Sequence, residues 1–120
     1  MNRDERASAT AETAVALPVL VLVLAACLWA LSYAASTLRC ADAARAAARA
    51  AARGELPAAV AATARRAAGR PVTVTTRRSG DLVVVDVSWR LRAGAFARRL
   101  PVLRVHQTAT AWIEPRAGPP

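Results

Sequence analysis

The feature that most constrains this chain is an uninterrupted apolar run near its N-terminus. Eighteen consecutive residues without a polar side chain extend from Ala14 to Leu31. As an α-helix this run would be about 27 Å long, close to the hydrocarbon thickness of a bilayer. Trp29 and Tyr33 lie at its far end, where interfacial aromatic side chains are found. We therefore predict one transmembrane helix over residues 14–36.

Two other interpretations of the same run remain open. A cleaved secretory signal would use Ser32-Tyr33-Ala34 as its small-residue site. Against it, the apolar run exceeds the usual length of about 7–15 residues, and the head before it carries acidic side chains. A buried helix of a soluble protein would need more surrounding chain than 120 residues provide. Pro18 fits a membrane helix because proline is tolerated in the first turns.

Charge divides the chain into three segments. Residues 1–13 carry charges of both signs, residues 14–38 carry none, and residues 39–120 hold fifteen arginines against five acids. Every basic residue is an arginine, and the formal net charge is +9. The sequence therefore consists of a polar head, an apolar span and a basic C-terminal part.

The basic part opens with a segment of alanine and arginine. Its composition strongly favours a helix, and Arg45, Arg49 and Arg53 recur every four residues to form one polar stripe. Alanines form the opposite face, at positions Ala44, Ala47, Ala48 and Ala51. We predict that residues 37–54 extend the membrane helix outward, with the alanine face packed on a sheet or a neighbouring subunit. Compositional bias of the coding sequence is the alternative explanation.

The C-terminal part changes from helical to alternating periodicity. The segment from Pro57 to Ala68 predicts a short helix closed by Gly69. Beyond it apolar and polar residues alternate, as in half-buried strands. Strand candidates lie around Val72 and Val74, from Val83 to Leu91 and from Leu103 to Ile113, with a turn at Arg77 to Asp81. The predicted fold is α+β: one long N-terminal helix, a short helix and a small three-stranded antiparallel sheet within residues 55–115, then a disordered tail at 116–120.

Few side chains suit catalysis or metal binding. The single histidine, His106, falls on the polar side of the third strand candidate, and no nucleophile has a spacing that pairs with it. Cys27 and Cys40 are thirteen residues apart on one predicted helix, about 20 Å, which is too far for a disulfide. We therefore expect no enzyme activity, no metal and no cofactor. Cys27 is expected to pack in the membrane, and Cys40 is a candidate contact between subunits.

The first third of the chain resembles a known family. The segment from Ala11 to Leu20 reads AETAVALPVL, with its acidic residue just before the apolar run. It resembles the start of TadE-like proteins, the minor pilins or pseudopilins of tight-adherence (Flp-type) pilus systems. The residues that match position by position are Glu12, Ala14, Leu17 and Pro18. Thr13 stands where the family usually has Phe, and Ala7 stands where prepilins normally have Gly before the cut.

The resemblance implies a pilin-like fold and a role in pilus assembly. A prepilin peptidase would cut between Ala7 and Ser8, so that residues 1–13 contain the leader. Glu12 would then neutralise the new N-terminal amine during assembly, and Pro18 belongs to the same motif. The implied partners are other pilins, pilus assembly proteins, a prepilin peptidase and the membrane, whereas nucleic acid is not expected.

Two indications of orientation disagree. Arginines that follow the span outnumber those before it, so the positive-inside rule would leave the C-terminal part in the cytoplasm. The resemblance implies a cytoplasmic N-terminus and an extracytoplasmic C-terminal domain, and we expect this arrangement because whole domains translocate despite their charge. The alternatives are a basic membrane-anchored protein that contacts nucleic acid or anionic envelope polymers, and a cleaved, secreted small basic protein.

Overall fold

The computed structural model describes residues 2–91 and 102–115, which form two helices and three strands. In chain order these are α1 (Arg3–Ala52), α2 (Pro57–Ala68), β1 (Thr73–Ser79), β2 (Leu82–Leu91) and β3 (Leu103–Trp112). The strands form one antiparallel sheet in the order β1-β2-β3. The predicted α+β architecture is thereby confirmed. The tail at 116–120, predicted to be disordered, lies outside the described residues.

The chain divides into two compact units, an N-terminal unit, Met1–Ala34, and a C-terminal unit, Ala35–Pro120. The N-terminal unit consists of the first part of α1, which contains the whole apolar run. Asp4 and Glu5 occupy the first turn of α1, where carboxylates interact favourably with the positive end of the helix dipole. Pro18 lies inside the helix, because α1 begins at Arg3 and not at the apolar run. Its missing amide hydrogen leaves one carbonyl without the usual helical bond.

Two hydroxyl groups that flank the apolar run are satisfied by the helix itself. Thr13 Oγ1 donates to the carbonyl of Ala9 at 2.9 Å, and Ser32 Oγ donates to the carbonyl of Leu28 at 2.8 Å. Bonds of this kind remove the cost of placing a free hydroxyl in a medium without water. The mean hydropathy of the most apolar eighteen-residue window of α1 reaches 2.7, and none of that window is buried. The described part of α1 therefore contains a candidate membrane span.

Proline and glycine set the ends of the two helices. The turn after α1 contains Gly54 at φ 79°, and Pro57 occupies the first turn of α2. Gly69 ends α2 in the left-handed conformation at φ 66°, with its amide donating to the carbonyl of Arg65. The bounds predicted for α2 are confirmed, because both of its ends are encoded by local backbone chemistry.

The turn of the β1–β2 hairpin is shorter than the polar segment from Arg77 to Asp81 predicts. Ser79 pairs with Leu82, so only Gly80 and Asp81 remain in the turn. Gly80 has φ 59°, which suits a two-residue hairpin turn and lets the strand ladder run to its end. The prediction that the turn includes Arg77 was therefore wrong: this arginine lies in β1, an edge strand, where exposed charged side chains are well tolerated.

The core of the C-terminal unit is a layer of valines and alanines between one sheet face and the helices. The three valines of β2 on this face have no exposed surface, and burial of each contributes about 1.5–3 kcal/mol. Alanines bury little area themselves, but they let the helix backbone approach the sheet closely. The predicted alanine face of α1 is buried as a whole. The core residues are Cys40, Ala43, Ala44, Ala47, Ala48, Ala50, Ala51, Val60, Ala64, Ala68, Val72, Val83, Val85, Val87, Trp89 and Val105.

Candidate assembly site

All four assembly and processing residues predicted from the sequence lie on the N-terminal unit. Ala7 and Ser8 are helical and exposed, within the second turn of α1. Glu12 and Pro18 follow on the same helix, also exposed. A peptidase that cuts between Ala7 and Ser8 would have to unwind this turn, since a helical peptide bond is shielded by its own backbone bonds.

Glu12 is the one charged member of a shallow, otherwise apolar strip on the surface of α1. The strip is formed by Ala11, Glu12, Val15, Ala16, Val19 and Leu20. Its members recur at helical spacing, so they follow one side of the helix. Among the described residues no cation pairs with the Glu12 carboxylate. The arrangement leaves one acidic group beside a surface that water solvates poorly.

The apolar side chains of the N-terminal unit are exposed in every direction around the helix. Val15 is 71% exposed, Leu22 is 70% exposed and Leu31 is 67% exposed. Trp29 and Tyr33 stack at the far end, with ring centroids 6.1 Å apart and planes inclined by 15°. A contiguous apolar surface of this extent indicates contact with lipid or with other helices.

Cys40 belongs to the core of the C-terminal unit. Its side chain has no exposed surface, and Sγ donates to the carbonyl of Val87 at 3.3 Å. Burial raises the pKa of the Cys40 thiol, which disfavours the reactive thiolate. The expected contact between subunits at Cys40 does not fit this placement, because a cross-link there would require the core to open. Cys27 is exposed on the apolar run, where sequence reasoning placed it.

The second face of the sheet carries a polar network centred on Asp86. Its carboxylate accepts hydrogen bonds from Thr108 Oγ1 at 2.6 Å and from the Arg77 guanidinium, and His106 Nε2 lies 3.6 Å away. The bond from Thr108, together with the charge of Arg77, holds the pKa of Asp86 below its usual value. His106 thus faces a carboxylate on the polar side of β3, as its alternating position indicated. Sequence reasoning missed the network because it depends on strand register.

Comparison with known proteins supports the segment of the sequence that carries Glu12 and Pro18. A family model described as TadE-like protein matches residues 7–49, which include Glu12, Pro18 and most of the alanine face. Apoptosis inhibitor Rv3655c of Mycobacterium tuberculosis is 39% identical over 104 residues, which cover 87% of this chain and 78% of that protein. No solved structure matches the chain. The resemblance inferred from Ala11 to Leu20 is confirmed by the family match.

Proposed function

Because this chain belongs to the TadE-like family, we propose that it is a single-span structural minor pilin or pseudopilin that acts in assembly of a type IV-like, tight-adherence (Flp) pilus. One observation carries the proposal: a carboxylate, Glu12, stands at the start of an apolar helix surface that nothing in the described chain covers. Association with other pilus components would cover that surface. We propose no catalytic step for this chain.

The proposed mechanism couples processing to assembly. A prepilin peptidase cuts between Ala7 and Ser8 and leaves a positively charged amine at Ser8. In an apolar surrounding a lone ammonium and a lone carboxylate each cost several kcal/mol, and pairing recovers much of that cost. Glu12 of one subunit pairs with the amine of its neighbour, which also sets the axial register between the two helices.

Localisation follows from the same proposal. The apolar run anchors the chain in the cell membrane, with the N-terminus in the cytoplasm and the C-terminal unit outside it. Protease treatment of intact cells tests this arrangement. In cells that have an outer membrane, that membrane is first permeabilised so that the protease can enter. Digestion of the C-terminal unit supports the proposal. A protected C-terminal unit would support a basic protein that contacts nucleic acid, and recovery from the medium would support a secreted one.

Substitution of Glu12 tests the assembly step. Glu12→Ala should leave membrane insertion unchanged or slightly improved, because one costly charge is removed. It should nevertheless reduce recovery of the chain with partner pilins. The matched control is Glu5→Ala, which removes an exposed acid from the first turn of the same helix, within the segment that the peptidase would remove.

Two outcomes would contradict this proposal. Wild-type assembly by Glu12→Ala would remove the pairing role of the carboxylate. N-terminal sequencing that finds Met1 or Asn2 in cells with an active peptidase would remove processing between Ala7 and Ser8.

A further inference from the structure

We infer that the sheet carries a binding site for a phosphate group where β2 and β3 present two arginines to each other. Arg90 and Arg104 are direct partners in the strand register, and both are exposed. Like charges placed directly opposite in a sheet are destabilising. In residues 2–91 and 102–115 no carboxylate forms an ion pair with either guanidinium. A bound anion would turn this repulsion into two attractive contacts.

The two arginines line a cavity of about 440 Å³. Thr73 and Ser88, which pair with each other across β1 and β2, line the same cavity and carry hydroxyl groups. Its described lining contains no acidic side chain, and consists of Pro71, Val72, Thr73, Ser88, Trp89, Arg90 and Arg104. Side chains that can donate hydrogen bonds therefore line part of a space large enough for a phosphate ester.

Trp89 lines the same cavity and contacts a third arginine. The Trp89 side chain is 4% exposed and packs in the core of the C-terminal unit. The Arg70 guanidinium lies 4.1 Å from the Trp89 ring centroid and brings a further positive charge to this end of the sheet.

The chemistry of the donors favours phosphate over other ligands. A cation is excluded by the arginines, and an uncharged ligand would leave their repulsion in place. Guanidinium groups present several donors in a planar fork that matches phosphate oxygens, and a phosphate offers enough oxygens for several donors at once. Either a free phosphate ester or the headgroup of an anionic phospholipid supplies this group, and the two sources can be distinguished by experiment.

Calorimetric titration of the full chain in uncharged maltoside micelles tests the site. Two probes, glycerol phosphate and short-chain phosphatidylglycerol, are titrated at constant ionic strength into the wild type, Arg90→Gln and Arg104→Gln. Each site variant should bind at least about tenfold more weakly, because a hydrogen-bonded charged contact is lost. Arg49→Gln is the matched control, since it removes an equal charge from an exposed position on α1 and should bind as the wild type does.

The pattern of binding identifies the source of the phosphate. Binding of glycerol phosphate that depends on Arg90 indicates a free ester, and binding of phosphatidylglycerol alone indicates a lipid headgroup. Ser88→Ala should weaken binding to a smaller extent, which gives a second variant that does not alter charge. The inference is overturned if neither probe binds, if the arginine variants bind as tightly as the wild type, or if Arg49→Gln loses as much affinity as they do.

Discussion

Asp86 illustrates how a single side chain acquires its properties from the strands beside it. It is one of few acids in a strongly basic unit, and its side chain is 15% exposed. Thr108 on β3 and Arg77 on β1 both donate to its carboxylate, so this residue links all three strands on the polar face. The carboxylate therefore contributes to stability through its charged form.

The lowered pKa of Asp86 predicts a specific loss of stability in acid. Because the folded pKa lies below the unfolded value of about 3.9, the stabilisation is present above that value and disappears as pH falls through the folded pKa. Thermal unfolding between pH 7 and pH 2 should show a steeper acid loss for the wild type than for Asp86→Asn. Asp42→Asn, which removes an exposed acid from α1, should follow the wild-type profile, and identical slopes for wild type and Asp86→Asn would contradict the assignment.

Cys40 provides a second prediction for a single residue. In a Cys27→Ser background the remaining thiol should react with a disulfide reagent only when the fold opens, because Cys40 is fully buried and its pKa is raised. The rate of labelling should rise by orders of magnitude in denaturant. Fast labelling under native conditions would contradict the burial of Cys40. An oxidant-induced dimer through Cys40 would support this residue as a contact between subunits.

Among the elements, the β1–β2 hairpin shows how one residue sets the register of a sheet. Gly80 has φ 59°, and a Cβ at this position would meet no atom within 4 Å. Glycine is therefore required at this position because of the backbone conformation, and not because neighbouring atoms would crowd a side chain. Every cross-strand pair that begins at this turn, including those around Asp86, depends on the two-residue reversal.

Gly80→Ala should destabilise the C-terminal unit by about 1–2 kcal/mol, the cost of a left-handed conformation for an ordinary residue. Gly80→Asn should cost less, because asparagine adopts this conformation more readily. Chemical denaturation of the three proteins measures both differences. Equal stability of Gly80→Ala and the wild type would indicate that the turn rearranges.

At the scale of the whole molecule, the core of the C-terminal unit is shared between segments far apart in sequence. Of the sixteen core residues among the described ones, seven lie on α1, and β2 supplies the largest apolar side chains. The sheet and α2 alone would leave the valines of β2 uncovered. The second half of α1 is therefore part of the folding unit and not a linker to it.

Two fragments test this dependence. The fragment 35–120 should fold cooperatively, because it retains the alanine face that covers β2. The fragment 55–120 should remain unfolded, since its 66 residues without that cover bury too little apolar surface. Amide hydrogen exchange of the β2 backbone distinguishes the two, and strong protection in the shorter fragment would show that the sheet does not need α1.

Local chemistry in the sequence determined the elements themselves. The apolar run, the alanine-rich segment, the proline and glycine around α2 and the alternation along β2 and β3 are short-range signals, and each acts within a few residues of chain. They also predicted which side of β2 and of α1 is apolar. The family motif that contains Glu12 and Pro18 could also be recognised from the sequence, because it lies within one contiguous segment.

Tertiary structure alone decided which residues face one another. Alternation assigns a side chain to a face of a strand, but only pairing between strands places Thr108 beside Asp86 and Arg90 opposite Arg104. Helical periodicity likewise does not say that the Cys40 thiol donates to the carbonyl of Val87. These contacts join residues 14 to 47 positions apart, and their energies depend on burial and register, which exist only once the sheet has formed against the helices.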